Sequence, residues 1–118
     1  MTGQSDDYGY EYALKHGCRC VELDCWDGPN GEPEITHNAA KSLKLPTTTI
    51  TFKSVIETIK EFAFVASEYP LILSIENHCN LQQQDIMAEY MRSILGDLLF
   101  TENVDFDRQV FLKVTFFT

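Results

Sequence analysis

Apolar residues change their spacing several times along this chain, and each change marks a different element. Residues 18–26, Cys-Arg-Cys-Val-Glu-Leu-Asp-Cys-Trp, alternate, which predicts a strand with Val21, Leu23 and Cys25 on one face and Cys20, Glu22, Asp24 and Trp26 on the other. Upstream, Glu11 to His16 reads as the end of a helix, with Glu11 and Lys15 one turn apart and Gly17 as the C-terminal cap. Later the period lengthens. Phe52, Val55, Ile56, Ile59, Phe62, Ala63 and Ala66 recur at helical spacing and predict an amphipathic helix that Tyr69-Pro70 stops. Leu71 to Asn77 is a nearly continuous apolar run of strand length, of the kind buried on both faces in a parallel sheet. Asn80 and Gln83 form an amide version of a capping box ahead of a second amphipathic helix carrying Ile86, Met87, Tyr90, Met91, Ile94, Leu95 and Leu98. Val110 to Phe117 predicts a last strand, whose high β-propensity would favour aggregation at an exposed terminus.

The connections complete the pattern. Asp27 to Pro33 is rich in glycine, proline and asparagine and predicts a turn, with a short extended piece, Glu34 to His37, after it. Pro29 breaks the alternating acidic pattern that an EF-hand loop needs. Lys41 to Thr51 is a polar connector. The order of elements is that of an α/β domain with a parallel sheet. An eight-stranded (β/α) barrel takes about 250 residues, so a chain of 118 predicts an incomplete TIM-type barrel with about half of the strands or fewer.

Charge narrows the partners. Eighteen acidic against nine basic residues give a net charge of −9, which argues against nucleic acid and in favour of cations. No apolar stretch approaches the roughly 18 residues of a membrane span, and the polar opening Met1 to Asp7 lacks the basic and apolar regions of a signal peptide, so a soluble, non-secreted chain is expected. Cys18, Cys20, Cys25 and Cys79 are too few for a disulfide framework. Together with His78 they include enough ligands for zinc, but paired CxxC spacing is missing and alternation aims Cys20 and Cys25 at opposite faces. Buried free thiols are the expectation.

Chemistry gathers at few positions. Glu22, Asp24 and Glu76 lie in or at the end of strands whose other residues read as buried, and buried carboxylates are costly unless paired or bound to metal. Taken singly each reads as a salt-bridge partner, yet basic residues are scarce, and three converging carboxylates match the oxygen-rich coordination of calcium. His37 ends an extended piece, where barrel enzymes place catalytic side chains, and could act as an acid or base. His16 sits at a helix end, and His78 follows Glu76-Asn77, where it could orient its neighbours. Trp26 reads as core, Tyr8, Tyr10 and Tyr12 as ordinary packing, and Asp105 and Asp107 as a solvated face.

The run Gly17-Cys-Arg-Cys-Val-Glu-Leu-Asp-Cys-Trp-Asp-Gly-Pro-Asn-Gly-Glu-Pro33 resembles the X region of eukaryotic phosphoinositide-specific phospholipases C, and Ser67-Glu-Tyr-Pro-Leu-Ile-Leu-Ser-Ile-Glu-Asn-His-Cys79 resembles that region's second hallmark. The resemblance spans residues 11–99, leaving a non-matching segment 1–10 and a divergent segment 100–118 that holds the last strand. It implies a distorted TIM barrel made of X and Y halves, a catalytic calcium ion, and cleavage of phosphatidylinositol 4,5-bisphosphate to diacylglycerol and inositol 1,4,5-trisphosphate. On the same resemblance Glu22, Asp24 and Glu76 align with calcium ligands, Glu22 or Glu76 with the base for the inositol 2-hydroxyl, and His37 with the acid for the leaving glycerol oxygen. The implied partners are phosphoinositide lipid, the Y half and accessory domains, and the implied location is cytoplasmic, at the inner membrane surface.

The chain also departs from the family's pattern. The first catalytic histidine and its neighbouring asparagine ligand belong upstream of residue 11, and Met1 to Tyr10 contains neither. Asn38 replaces the glycine usual after the second histidine, and the stretch to Phe52 is about five residues longer than the family's. Beyond Leu99 the match fades, so the family's substrate-phosphate lysines do not transfer to Lys113. Two functional classes follow: an inactive fragment of a larger phospholipase C, or a non-catalytic relative that binds partners or inositol phosphates without turnover. A free-standing calcium-binding domain is the weakest alternative.

Overall fold

A computed structural model describes residues 7–36, 49–101 and 114–117. Helix α1 (Asp7–Lys15) begins earlier than its sequence signal, and its Lys15 ammonium lies 2.9 Å from the Glu11 carboxylate. Its end is a Schellman closure, with Gly17 at φ +84°, the Gly17 amide donating to Leu14 O and the Cys18 amide to Ala13 O. Strand β1 (Cys20–Trp26) follows at once, burying Val21, Leu23 and Cys25 as its alternation predicts.

The chain then reverses. The Asp27 to Pro33 turn holds a short 3-10 segment, Pro29–Gly31, with Asn30 at φ +60° and Gly31 at φ +76°. It returns β2 (Glu34–Ile35) antiparallel to β1, and β3 (Ile50–Thr51) pairs antiparallel with β2. The sheet order is β3-β2-β1-β4-β5, in which β4 (Leu71–His78) pairs parallel with both β1 and β5 (Val114–Phe117), and among the described strands β2 runs against the rest. A purely parallel sheet is therefore not what forms. Seven residues between β1 and β2 cannot supply the crossover that parallel pairing needs.

One face of the sheet carries the core. Helix α2 (Phe52–Phe62), capped where Thr51 Oγ1 accepts from the Ser54 amide at 3.1 Å, sinks Phe52, Val55, Ile56 and Ile59 against Leu23, Leu71, Leu73 and Ile75. It stops short of the proline, and Ala66 is exposed. Arg19 supplies the reason, since its guanidinium takes the carbonyls of Ala63 and Tyr69 at 2.6 and 2.7 Å and pins the departing chain. Helix α3 (Leu81–Tyr90) buries Met87 and continues through a π turn, Met91–Leu95, and a 3-10 turn, Gly96–Leu98, rather than as one α-helix to Leu98.

The opposite sheet face differs from the sequence expectation. Leu71, Leu73 and Ile75 are buried, but Ile72 is 37% exposed and Ser74 half-buried, so β4 is covered on one side only. Among the described residues no helix packs over the second side. The mixed α/β sheet is an open one, and the described residues do not close a barrel. No helix among them is long and apolar enough to cross a membrane.

Candidate functional site

Parallel pairing puts the two acidic motifs in step. β1 and β4 run Glu22 opposite Ser74, Asp24 opposite Glu76 and Trp26 opposite His78. All six belong to the uncovered face, because alternation commits the other phase of each strand to the core. Neighbouring strands lie about 4.8 Å apart and alternate residues about 6.6 Å along a strand, so Asp24 and Glu76 are lateral neighbours with Glu22 one step behind. Asp24 and Glu76 lie toward the C-terminal ends of β1 and β4, the end at which α/β sheets carry their chemistry, while Glu22 is nearer the start of β1.

The carboxylates are not buried as expected. Glu22 is exposed, Asp24 half-buried, and the Glu76 side chain 52% exposed. The reason is the open sheet face. Trp26 is likewise not core but half-buried on that face, its indole stacked on the His78 imidazole with centroids 4.0 Å apart and planes 14° from parallel. Its Nε1 is buried and has no hydrogen-bond partner among the described residues. On its other side His78 meets the site, with Nε2 3.4 Å from Oε1 of Glu76.

Beyond the ladder the two chains stay joined. Asn80 caps α3 by accepting from the Gln83 amide at 2.9 Å, as the capping box predicts, but the reciprocal half of the box is absent. Instead the Asn80 amide donates to Oδ1 of Asp27 at 2.9 Å, and the Gln83 side chain reaches across to Gly28. Two cysteines lie beneath. Burial pushes the Cys25 thiol far above its ordinary range, with Cys79 and Asp24 adding, and pushes Cys79 up to about 11, with Asp27 adding. Cys20 is exposed and Cys18 half-buried, so the expectation of buried thiols holds for half of the set.

His37 lies outside the described residues, as do Lys113, Asp105 and Asp107. For calcium, the donor chemistry fits: oxygen ligands project from neighbouring positions on one solvent-open face. Completeness is another matter, because among the described residues no three His, Cys, Asp or Glu side chains form a group able to hold a metal ion. Glu22, Asp24 and Glu76 thus share one face of the paired strands without forming a closed group among the described residues. The Trp26–His78 stack and the Gln83–Gly28 contact escaped the sequence reading. A signal for the stack existed, since Asp24-Cys-Trp26 and Glu76-Asn-His78 share one spacing and in-register pairing aligns both ends.

Comparison with known proteins fits this geometry. The sequence pattern of the family described as phosphatidylinositol-specific phospholipase C, X domain, matches residues 1–116. A Xenopus laevis 1-phosphatidylinositol 4,5-bisphosphate phosphodiesterase delta-4 is 52% identical over 105 residues, covering 89% of this chain and 13% of that protein. A Homo sapiens 1-phosphatidylinositol 4,5-bisphosphate phosphodiesterase eta-2 is 54% identical over 104 residues, 88% of this chain and 7% of that protein. The crystal structure of S. officinalis PLC21 superposes with a TM-score of 0.79 at 46% identity, over 89% of this chain and 13% of that one. The chain therefore spans about an eighth of the length of relatives such as the delta-4 protein. With the paired acidic strands, the family pattern and these identities in agreement, the chain belongs to the X-domain family of the phosphatidylinositol-specific phospholipases C.

Proposed function

We propose that this chain acts as a segment of a longer polypeptide and supplies part of the active site of a calcium-dependent phosphodiesterase that cleaves phosphatidylinositol 4,5-bisphosphate. The observation that carries the reading is the in-register pair Asp24–Glu76, with Glu22 one step away, on the open face of β1 and β4. The names of the relatives support the substrate. Further strands, from the Y half, cover the open face and close a barrel around these carboxylates. The net charge of −9 gives the chain no attraction for anionic lipid, so accessory parts bring the site to the cytoplasmic membrane surface.

In this reading Glu22, Asp24 and Glu76 hold the calcium ion. When bound, the ion supplies positive charge that acidifies the inositol 2-hydroxyl and offsets charge growing on the phosphoryl oxygens. Glu22 or Glu76 takes the proton from the 2-hydroxyl, whose oxygen attacks phosphorus. The phosphorus–oxygen bond to glycerol breaks as His37 gives its proton to the leaving oxygen, releasing diacylglycerol and a cyclic phosphate. His37 then takes a proton from water, the water oxygen opens the cyclic phosphate, and the glutamate returns its proton to the 2-oxygen.

The test is hydrolysis by the intact polypeptide. Glu76→Gln is expected to lower turnover about a hundredfold or more at saturating calcium, and His37→Ala to lower turnover while calcium binding persists. Near-wild-type turnover in Glu76→Gln sinks the role assigned to that carboxylate. An intact wild-type protein that binds phosphoinositides but never cleaves them establishes the non-catalytic relative instead.

A further inference from the structure

The β1–β4 ladder ends at Trp26 and His78, and parallel strands have no hydrogen-bonded continuation beyond their last pair. Two carboxylates sit directly across from each other just below that end, and like charges in this position push the strands apart. What lies immediately past the ladder is a set of hydrogen bonds between the two departing loops. The Asn80 amide donates to Oδ1 of Asp27 at 2.9 Å. The Gly28 amide donates to Oε1 of Gln83 at 3.0 Å, and Nε2 of Gln83 donates to the Gly28 carbonyl at 2.9 Å. One side-chain amide thus satisfies both backbone groups of a single residue on the opposite loop.

Several facts make this contact stiff. Gln83 is 7% exposed, so its bonds exchange little with water. A Cβ on Gly28 would overlap the Glu32 carbonyl oxygen, and Asn30 and Gly31 hold the left-handed turn that brings Glu32 back over Gly28. At the far end of α3 the Tyr90 hydroxyl lies 2.7 Å from each carboxylate oxygen of Glu32, so the loop is held at a second point. A side chain serving only to cap α3 would bond back to the Asn80 amide. Gln83 leaves that amide to Asp27 and spans the gap between the strands.

We propose that Gln83 is a positioning residue: it clamps the Gly28 peptide and, with the Asp27–Asn80 bond, holds Asp24 and Glu76 at the spacing from which they share one divalent cation. The inference rests on the calcium reading above. Partners that orient metal ligands govern affinity even though they never touch the ion.

Gln83→Met tests it in the intact polypeptide, because it keeps the length and burial of the side chain and removes both bonds to Gly28. Three quantities are read: calcium affinity by calorimetry, amide hydrogen exchange at Gly28 and Asn80, and melting temperature. Exchange at Gly28 should quicken and calcium affinity fall about tenfold. Ile59→Val, a core change in α2 remote from the clamp, should lower the melting temperature while leaving calcium affinity unchanged. Gln83→Glu, which keeps an acceptor for the Gly28 amide, should fall between wild type and Gln83→Met, and it decides the matter if Gln83→Met does not fold. Wild-type calcium affinity in a folded Gln83 variant overturns the clamp alone. A wild-type polypeptide that binds no calcium overturns the cation reading itself, and the inference with it.

Discussion

The Trp26 indole lies against the His78 imidazole at a centroid distance of 4.0 Å, and the same imidazole approaches Glu76 with Nε2 to Oε1 at 3.4 Å. The chain's single tryptophan is thereby tied through one ring to a proposed metal ligand. Replacing His78 by Ala removes the stack and is expected to cost about 1 kcal/mol in urea unfolding, the usual worth of an aromatic pair. Emission from Trp26 should shift as its surroundings change. Unaltered stability together with unaltered emission would show that the stack contributes nothing.

The thiols should separate by burial. Cys79, raised to about 11 from an ordinary 9.0, exposes only about a thousandth of its population as thiolate at pH 8, and Cys25, pushed higher still, exposes less. Iodoacetamide is expected to modify the exposed Cys20 in the folded protein and to reach Cys25 and Cys79 only after unfolding, as read by mass spectrometry of the alkylated peptides.

The same shifts carry a pH dependence of stability. Both thiols have a folded pKa above the unfolded value, so the folded state holds the protons more tightly and the contribution is fully present below pH 9.0. It is lost as pH rises from there toward about 11 for Cys79 and continues to fall for Cys25. Chemical unfolding midpoints should decline above pH 9, and Cys79→Ala should flatten the decline. A slope unaffected by that substitution would assign the dependence to other groups.

Arg19 holds the end of the sheet remote from the carboxylates. Its guanidinium bonds to Tyr69 O at 2.7 Å and Ala63 O at 2.6 Å, and its own carbonyl accepts from the Ile72 amide at 2.9 Å. Lysine offers a single ammonium in place of the fork, so Arg19→Lys should destabilise by about 1–2 kcal/mol in urea. Turnover per folded molecule of the intact polypeptide should remain that of wild type, because the pinned carbonyls lie at the end of α2 and just before β4, away from the carboxylates.

Much of this was legible in the sequence for local reasons. Alternation over Cys18 to Trp26 separated Val21, Leu23 and Cys25 from Glu22, Asp24 and Trp26, since a strand's side-chain period follows from its backbone alone. Helical spacing found the buried stripe of Phe52, Val55, Ile56 and Ile59, and Asn80 announced the start of α3. The two long motifs fixed the family. Exposure was not legible: Leu71 to Asn77 reads as buried on both faces, yet burial depends on what packs over a strand, and among the described residues one face of β4 carries no helix. Nor were the antiparallel β2 and β3, which follow from how the loop after β1 turns.

The sequence by itself therefore determined which residues are candidates for the chemistry and which face of β1 and β4 the carboxylates occupy, because periodicity and composition are properties of single segments. Only the tertiary structure decided that Asp24 meets Glu76, that Trp26 meets His78, and that Gln83 crosses to Gly28 instead of completing its own capping box. Each of those pairs joins residues about fifty positions apart, and their meeting depends on a parallel register that no single segment contains.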